Sequence, residues 1–254
     1  MKTILEAKKI NKLYDIGKGN TQQVLCDVDI LIGEGEFVSI MGPSGSGKST
    51  LLYNISGMDK VTSGTVCFNG AELTTMADDA LSALRLQKMG FVFQQSNLLK
   101  NLNILDNIIL SAYMAKNEDR RMIVERAKKL MEQTGISALA DNDITQASGG
   151  QLQRVAICRA LINNPQIIFG DEPTGALNSK ATGEVMDILA DINLKGTTIM
   201  LVTHDAKVAA RTERVLFMSD GVIVGEKQLG KYLPSSDIKV RESQLTEWLA
   251  QMGF

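Results

Sequence analysis

Cysteine, histidine and net charge are all scarce in this chain of 254 residues. It holds three cysteines and one histidine, and its 27 basic and 29 acidic residues leave a formal net charge of −2. Cys26, Cys67 and Cys158 lie far apart, so the sequence contains neither a paired zinc pattern nor a disulfide framework, and a reducing compartment is expected. We interpret each cysteine as an ordinary small buried residue. The small net charge offers no strong field to attract nucleic acid or an anionic membrane, and we expect no nucleic-acid partner.

Long apolar runs are also missing. No stretch approaches the roughly 20 apolar residues that a membrane-spanning helix needs, and the longest candidates, such as TTIMLVT at 197–203, have the length of a strand. The N-terminal segment MKTILEAKKI reaches charged residues too early for a signal peptide. We therefore expect any work at a membrane to depend on a partner.

Short β-branched runs alternate with helical patterns along the chain. The apolar content of 44% is enough for a sizeable core. Apolar residues recur at helical spacing over 178–193, and several of the strand-like runs are apolar throughout, as strands covered on both faces are. The predicted strands are 36–41, 90–93, 166–171, 198–202 and 214–218. The alternation predicts an α/β fold with a largely parallel sheet.

Two segments depart from this alternation. Residues from about 94 to 162 read as mostly helix, which predicts a helical subdomain inserted into an α/β domain of residues 1–230. The tail, 231–254, begins near a turn-like Pro-Ser-Ser and then carries an apolar stripe at helical spacing. The stripe consists of Leu245, Trp248, Leu249 and Met252. It predicts an amphipathic helix, which either packs back on its own domain or docks onto a partner.

GPSGSGKST follows the first predicted strand, opens a helical run and fits the phosphate-binding pattern G-x-x-x-x-G-K-[ST]. Its glycines let the backbone curl so that N–H groups point at an anion, and the helix N-terminus adds the positive end of a dipole. Lys48 can reach the β- and γ-phosphates of a nucleotide, and the Ser49 hydroxyl can ligate Mg²⁺. The predicted nucleotide-binding residues of this P-loop are Gly42, Pro43, Ser44, Gly45, Ser46, Gly47, Lys48, Ser49 and Thr50.

Four polar side chains follow other predicted strands, at the sheet edge where ligands bind in open α/β folds. Asp171 ends the strand QIIFGD and can hold the hydration shell of magnesium. Glu172 comes next and can accept a proton from an attacking water. His204 follows TIMLVT, where it can contact the γ-phosphate, and the amide of Gln94, after GFVF, can contact magnesium or the water.

ASGGQLQR at 147–154 begins another helical pattern. Two glycines cost about 1 kcal/mol each inside a helix relative to alanine but little at its start, so Ser148, Gly149, Gly150 and Gln151 predict an exposed helix N-terminus. Free N–H groups and a hydroxyl there form a second anion site. Because the P-loop already surrounds bound phosphates from one side, this second site is most easily used on the nucleotide of another molecule. The pattern therefore favours a dimer with ATP at the interface.

The chain resembles the ABC-type ATPases, which are the nucleotide-binding subunits of ABC transporters. The resemblance lies in the content and order of five motifs: GPSGSGKST, Gln94, ASGGQ, IIFGDE and His204. The resemblance covers about residues 3–228. It implies a P-loop NTPase core with an inserted helical subdomain, hydrolysis of ATP with Mg²⁺, and head-to-tail pairing of two copies. In that pairing Ser148 and Gly150 face the γ-phosphate bound by the other copy's Lys48. Tyr14 matches the aromatic that the family stacks on adenine; the alternative is a half-buried strand residue.

Further segments resemble one group within the family. This group comprises the ATPases of lipoprotein-release, macrolide-export, cell-division and antimicrobial-peptide-resistance complexes. The similar segments are DEPTGAL at 171–177, a lengthened loop DIGKGNTQQ at 15–23 and the segment 91–108. IIFGDEPTGALNSK is most similar to the peptide-resistance branch. The resemblance implies an integral-membrane permease as partner and a peripheral place on the cytoplasmic face of the membrane. Leu98, Leu99 and Leu102 are candidates for a groove that takes a cytoplasmic helix of the permease, or alternatively for the core of the helical subdomain.

Three residues depart from the family pattern. Ala147 replaces a leucine at a packing position, where we expect little effect. Gly170 stands where a larger residue is common, which is expected to loosen the strand end. Asn178 replaces the usual aspartate after the acid pair, and the lost charge bears on how tightly dimer closure is coupled to hydrolysis.

Two other functions compete with a transporter ATPase. A soluble ABC ATPase acting on nucleic acid or ribosomes would need a long coiled coil or a second ATPase domain, and this chain shows neither, nor a basic patch. A non-hydrolysing ATP switch is opposed by Glu172 and His204, although Asn178 favours it weakly.

Overall fold

The structure is a computed structural model that describes residues 2–17, 19–233 and 235–254. None of the helices in these ranges combines the length and apolarity needed to cross a bilayer. The strands are β1 Thr3–Gly17, β2 Asn20–Gly33, β3 Phe37–Met41, β4 Ser63–Phe68, β5 Ala71–Glu72, β6 Met89–Phe93, β7 Ile167–Asp171, β8 Thr198–Val202, β9 Arg214–Ser219 and β10 Val222–Gln228. The α-helices are α1 Lys48–Ile55, α2 Asp78–Lys88, α3 Ile104–Ala115, α4 Arg120–Gln133, α5 Gly149–Leu161, α6 Ser179–Leu194, α7 Ala206–Ala209 and α8 Ile238–Gln251.

A six-stranded sheet positions the predicted site. Its order is β10-β9-β3-β8-β7-β6, and all neighbours are parallel except β10 with β9. Every residue of β3 and of β8 is buried, as expected for strands covered on both faces. The α/β prediction is confirmed, and each of the five predicted strands is present with its ends shifted by at most one residue.

A second, antiparallel sheet of order β2-β1-β4-β5 was not predicted. Its β1–β2 hairpin also corrects the interpretation of 15–23 as a loop, because Gly17 pairs with Asn20 and the strands continue on both sides. Lys18 lies outside the described residues. The hairpin has several register shifts, and Lys9 and Asp27 have positive φ of 48° and 44°. These irregularities break the two-residue alternation by which a strand is recognised in sequence.

Helices α3, α4 and α5 lie between β6 and β7 in the chain and pack around an apolar cluster of their own. The cluster includes Ile104, Ile108, Ile123 and Met131. These helices are our candidate for the inserted subdomain. One link to the sheet is the buried Gln153 of α5, whose Nε2 donates to the carbonyl of Phe93 at the end of β6 at 2.9 Å.

The C-terminal helix α8 packs on the domain's own surface. Leu245, Trp248 and Leu249 are buried in a cluster with residues of β9 and α7. The buried guanidinium of Arg241 anchors the helix by donating to backbone carbonyls only, and burial lowers the pKa of this group. The accepting carbonyls belong to Ala210, Thr212, Leu229 and Gly230, at 2.7 to 3.0 Å.

Replacing Arg241 with methionine is expected to lower the free energy of unfolding by about 3 kcal/mol, because several acceptors lose a charged donor at once. Urea titrations followed by far-UV circular dichroism and by fluorescence of Trp248, the only tryptophan, measure the loss. The matched control is Lys239→Met on the exposed side of the same helix, which should change stability by less than about 0.5 kcal/mol. An unchanged midpoint for Arg241→Met would contradict the anchoring role.

Candidate functional site

The P-loop turns sharply from the buried strand β3 into α1. Gly42 and Gly47 have φ of 146° and 98°. A Cβ on Gly42 would lie 1.9 Å from the carbonyl oxygen of Met218, and one on Gly47 would lie 2.9 Å from that of Val24. Only glycine fits both positions, and the loop can therefore curl tightly at the start of α1.

Lys48 is the first residue of α1 and is buried, with only 8% of its surface exposed. Its Nζ donates to the carbonyls of Gly42 at 2.9 Å and Pro43 at 2.7 Å, so the ammonium is held over the loop. Burial lowers the pKa of Lys48, and the nearby carboxylates of Glu172 and Asp171 oppose that shift. A cation held in this way suits the negative charge of nucleotide phosphates.

Asp171 at the end of β7 is fixed by two hydroxyls from α1. Ser49 Oγ donates to Asp171 Oδ1 at 2.7 Å, and Tyr53 OH donates to Oδ2 at 2.6 Å. Burial, together with Asp171, raises the pKa of Tyr53 to about 12, so the phenol stays a donor at neutral pH. The oxygens of Ser49 and Asp171 fit magnesium, which prefers oxygen ligands and takes few from the protein when phosphates are present. Tyr53 was not among the residues predicted from the sequence, although its spacing of four from Ser49 places both on one face of α1.

We expect Tyr53→Phe to weaken the apparent affinity for Mg²⁺ in ATP hydrolysis about tenfold, because Asp171 loses the bond that orients it. Initial rates measured over a Mg²⁺ series at saturating ATP give this affinity. Tyr113→Phe is the matched control, because the buried Tyr113 hydroxyl has no hydrogen-bond partner among the described residues. An identical Mg²⁺ dependence in both variants would rule out the positioning role of Tyr53.

Glu172, His204 and Gln94 come together beside Gly175. Glu172 has a positive φ of 48°, a conformation that few non-glycine residues adopt. Its Oε2 lies 2.8 Å from His204 Nδ1. A Cβ on Gly175 would lie 2.9 Å from Gln94 Nε2 and 3.1 Å from Glu172 Oε2, so both side chains lie directly over this glycine.

A cleft of about 700 Å³ joins Glu172 and His204 to the P-loop, and Gln94 is not among the described residues that line it. Its lining combines residues that the sequence analysis predicted separately, namely Ser44, Gly45, Gly47, Lys48, Ser49, Thr50, Glu172 and His204, with Val24. The other predicted P-loop residues complete the turn, with Pro43 exposed and Ser46 buried. Tyr14 lies on β1, 39% exposed, with its hydroxyl bonded to Asp59.

The ASGGQ segment stands apart from this cleft. Ser148 is exposed and caps α5: its backbone N–H donates to Gln151 Oε1 at 2.8 Å, and Gln151 N donates to Ser148 Oγ at 3.4 Å. Gly149 and Gly150 open the helix next to Leu177 and Ala181 of the α6 region. Among the described residues that line the cleft, none comes from 148–151. The predicted second anion site is therefore separate from the cleft of the chain's own P-loop.

The three departures from the family pattern have local explanations. Asn178 caps α6, where its Oδ1 accepts from Ala181 N at 2.9 Å, and asparagine caps helices as well as aspartate does. A Cβ on Gly170 would lie 2.3 Å from Leu201 Cδ2, so the Leu201 side chain occupies the space that a larger residue would need. Ala147 packs at the border of the helical cluster.

Comparisons with known proteins agree on one family. The ABC transporter family model matches residues 25–175. The ABC transporter ATP-binding protein YknY of Bacillus subtilis, itself uncharacterised, is 42% identical over 233 residues, which cover 90% of this chain and all of YknY. The macrolide export ATP-binding/permease protein MacB of Aggregatibacter actinomycetemcomitans is 44% identical over 226 residues, which cover 89% of this chain and 35% of MacB.

A solved structure of an ATP-binding cassette has a fold similar to that of this chain. It is a dimeric, post-hydrolysis state of the ATP-binding cassette MJ0796 bound to ADP and Pi. It matches with a TM-score of 0.83 at 40% identity, covering 89% of this chain and 99% of that chain. The chain spans little more than a third of the length of the MacB proteins that it matches.

Proposed function

The chain belongs to the ABC transporter family as an ATPase subunit that binds ATP and Mg²⁺, and from this premise we propose that it drives a membrane permease. The observation that carries the ATP hydrolysis in this proposal is one cleft that holds Lys48, Ser49, Glu172 and His204 together. A Gly-rich loop alone would support binding only; the carboxylate and histidine beside it supply the groups that hydrolysis needs.

We propose separate roles for these side chains. Lys48 and the P-loop N–H groups bind the phosphates, and Glu172 accepts the proton of the attacking water. The Nδ1 of His204 is engaged by Glu172, which leaves Nε2 as the nitrogen that contacts the γ-phosphate. Ser49, Asp171 and Gln94 would hold magnesium, which when bound neutralises phosphate charge. Tyr14 stacks on the adenine.

We propose that the active form is a head-to-tail homodimer. Ser148, Gly149, Gly150 and Gln151 form an exposed helix N-terminus that does not line the chain's own cleft. An anion site of this kind is complete only when a second copy brings its nucleotide to it. The dimeric state of the MJ0796 cassette supports this arrangement.

We propose a permease of the macrolide-export or antimicrobial-peptide-resistance type, with the chain bound as a peripheral subunit on the cytoplasmic face of the membrane. MacB proteins join an ATP-binding part to a permease, and this chain matches the length of one part only. The 171–178 sequence, with Gly175 and Asn178, supports the peptide-resistance branch. A soluble ATPase switch with no membrane partner is the competing function.

An apolar groove beside the helical subdomain is the proposed seat for a cytoplasmic helix of the permease. It has a volume of about 350 Å³, and its apolar lining includes Met58, Leu86, Phe91 and Phe93. A helix with an apolar face fits such a surface. The segment that leads from Phe93 to α3 carries the leucines singled out from the sequence. None of these leucines is among the described residues that line the groove. Leu98 packs against the helical cluster and Leu102 is half-buried, whereas Leu99 is 45% exposed on the segment that follows Phe93 and can contact a helix seated there.

Leu99→Arg is expected to abolish permease binding and to leave the ATPase activity of the isolated subunit within about twofold of wild type. A charge there opposes burial against an apolar helix. Met114→Arg is the matched control, because Met114 is an exposed methionine in the last turn of α3, outside both the groove and the segment that leads from Phe93 to α3. Permease binding that survived Leu99→Arg in a folded protein would remove Leu99 from the docking surface.

Co-purification tests the membrane partner itself. The Glu172→Gln variant, loaded with ATP, is extracted from native membranes in detergent, and the proteins bound to it are identified by mass spectrometry. A multi-span permease is the expected result, and its external domain distinguishes peptide resistance from macrolide export. Recovery of ATP-dependent dimers with soluble proteins only would support the cytoplasmic switch instead.

A further inference from the structure

Tyr14 is bonded into a network with Lys12 and Asp59, two residues to which the proposed mechanism gives no role. Lys12 is only 8% exposed, and its Nζ donates to Asp59 Oδ1 at 2.8 Å and to the carbonyl of Lys60 at 2.6 Å. The other oxygen of the carboxylate, Oδ2, accepts from Tyr14 OH at 2.8 Å. Asp59 therefore joins a buried cation and a phenol that come from the same strand, more than forty residues earlier in the chain.

The network covers one face of the Tyr14 ring. Lys12 Nζ lies 4.7 Å from the ring centroid, within the range of a cation–π contact. The Tyr14 residue is 39% exposed, so it keeps solvent-accessible surface on which a base can stack. The bond from the hydroxyl to Asp59 then fixes the rotation of the ring, which would otherwise turn freely on an exposed strand.

The same carboxylate is connected to the phosphate loop. Asp59 lies just beyond α1, the helix that begins with Lys48 and Ser49. Asn54 of α1 is 2% exposed, and its Nδ2 donates to the Thr50 carbonyl at 2.8 Å and lies 3.5 Å from Asp59 Oδ2. The helix that presents groups to the phosphates is thus bonded to the carboxylate that holds the aromatic ring.

The charge states of the network suit these contacts. Burial and the contact with Asp59 raise the pKa of Tyr14, so the phenol remains a donor at neutral pH. Burial acts to raise the pKa of Asp59, but the bonds from Lys12 and Tyr14 outweigh it and the pKa lies below its ordinary value. A carboxylate that accepts from both a phenol and an ammonium is the expected state across the neutral range.

We propose that Lys12 and Asp59 are positioning residues. They hold the Tyr14 ring in a fixed orientation, so that a purine base can stack on it at a set distance from the P-loop. The proposal rests on the adenine-stacking role of Tyr14. It assigns recognition of the base to a network that spans two elements, β1 and the segment after α1, rather than to the aromatic ring alone. Selectivity for purine over pyrimidine nucleotides follows, because a fixed ring gains most from the larger base.

Steady-state kinetics of Tyr14→Phe, Asp59→Asn and Tyr14→Ala, with ATP and with CTP, test the network. Tyr14→Phe keeps the ring and loses the tether, and Asp59→Asn can accept from only one of the two donors. Each should raise KM for ATP about threefold to tenfold, the loss expected for one hydrogen bond, with kcat within about twofold. The preference for ATP over CTP should fall in both. The Tyr14→Phe/Asp59→Asn double variant should be no worse than either single variant, because both break one bond.

Asp78→Asn is the matched control, since Asp78 is an exposed carboxylate that pairs with the neighbouring Lys60; its KM should not change. If Tyr14→Ala raises KM and Tyr14→Phe does not, the ring stacks on the base but the bond from its hydroxyl to Asp59 has no positioning role, and the proposal is overturned. If Tyr14→Ala leaves KM unchanged, the adenine-stacking role fails and the tether fails with it. Additive effects in the double variant would also overturn the proposal. Should Asp59→Asn not fold, the comparison of Tyr14→Phe with Tyr14→Ala decides alone.

Discussion

Replacing Glu172 with glutamine is expected to lower the steady-state rate of ATP hydrolysis at least about a hundredfold while ATP binding is retained. Glu172 stands just past the end of β7, and its Oε2 lies 2.8 Å from His204 Nδ1 and faces Gly175. Glutamine preserves the shape and the contact with His204 but cannot accept a proton from water. The P-loop contacts of Lys48 and Ser49 do not involve the replaced group, so the nucleotide should remain bound.

The same variant should accumulate as an ATP-bound dimer, because binding is no longer followed by turnover. Size-exclusion chromatography with light scattering, with and without ATP, detects the dimer, and phosphate release gives the rate. Glu247→Gln on the exposed side of α8 is the control for the loss of one carboxylate and should behave as wild type. A Glu172→Gln variant that hydrolysed ATP near the wild-type rate would remove Glu172 from the role of base.

Ser148→Asp is expected to reduce hydrolysis at least about a hundredfold through the partner's site. Aspartate caps a helix as well as serine does, so α5 should remain intact. In the head-to-tail dimer the new carboxylate faces the γ-phosphate held by the other copy, and juxtaposed like charges cost several kcal/mol. Binding of ATP to the single chain should be unchanged, because Ser148 does not line that chain's own cleft.

Asn178→Asp is the control for Ser148→Asp, because it places the same new charge at another helix cap and restores the residue usual in the family. Its rate should stay within about threefold of wild type. Equilibrium binding of a fluorescent ATP analogue, run beside the phosphate-release assay, separates loss of binding from loss of closure. Normal hydrolysis by Ser148→Asp would mean that this helix N-terminus does not act on phosphate.

The motifs could be predicted from the sequence because each is a short segment whose neighbouring residues contribute to the same binding or catalytic function. The P-loop, the acid pair 171–172 and ASGGQ each need only local spacing to be recognised. The central strands were predictable for a similar reason, since β3 and β8 are each apolar at four of five positions and buried along their whole length.

Contacts between distant segments could not be predicted in the same way. The bonds of Asp59 to Lys12 and Tyr14 depend on the register of an irregular hairpin, and no local pattern encodes that register. The long strands β1 and β2 were missed because their bulges interrupt alternation. Tyr53 could have been found from its spacing to Ser49 on α1, but only after Asp171 had been placed opposite that helix.

Disulfide cross-linking between Ser44→Cys in the P-loop and Ser148→Cys tests most directly whether a second copy completes the ATP site. The exposed Cys26 and the half-buried Cys67 are replaced by serine, Glu172→Gln prevents turnover, and two chains with one introduced cysteine each are mixed and oxidised mildly with or without ATP. The predicted result is a covalent dimer that forms only in the mixture and only with ATP. ATP-dependent dimers that form normally in solution but give no cross-link in the mixture would contradict the head-to-tail site.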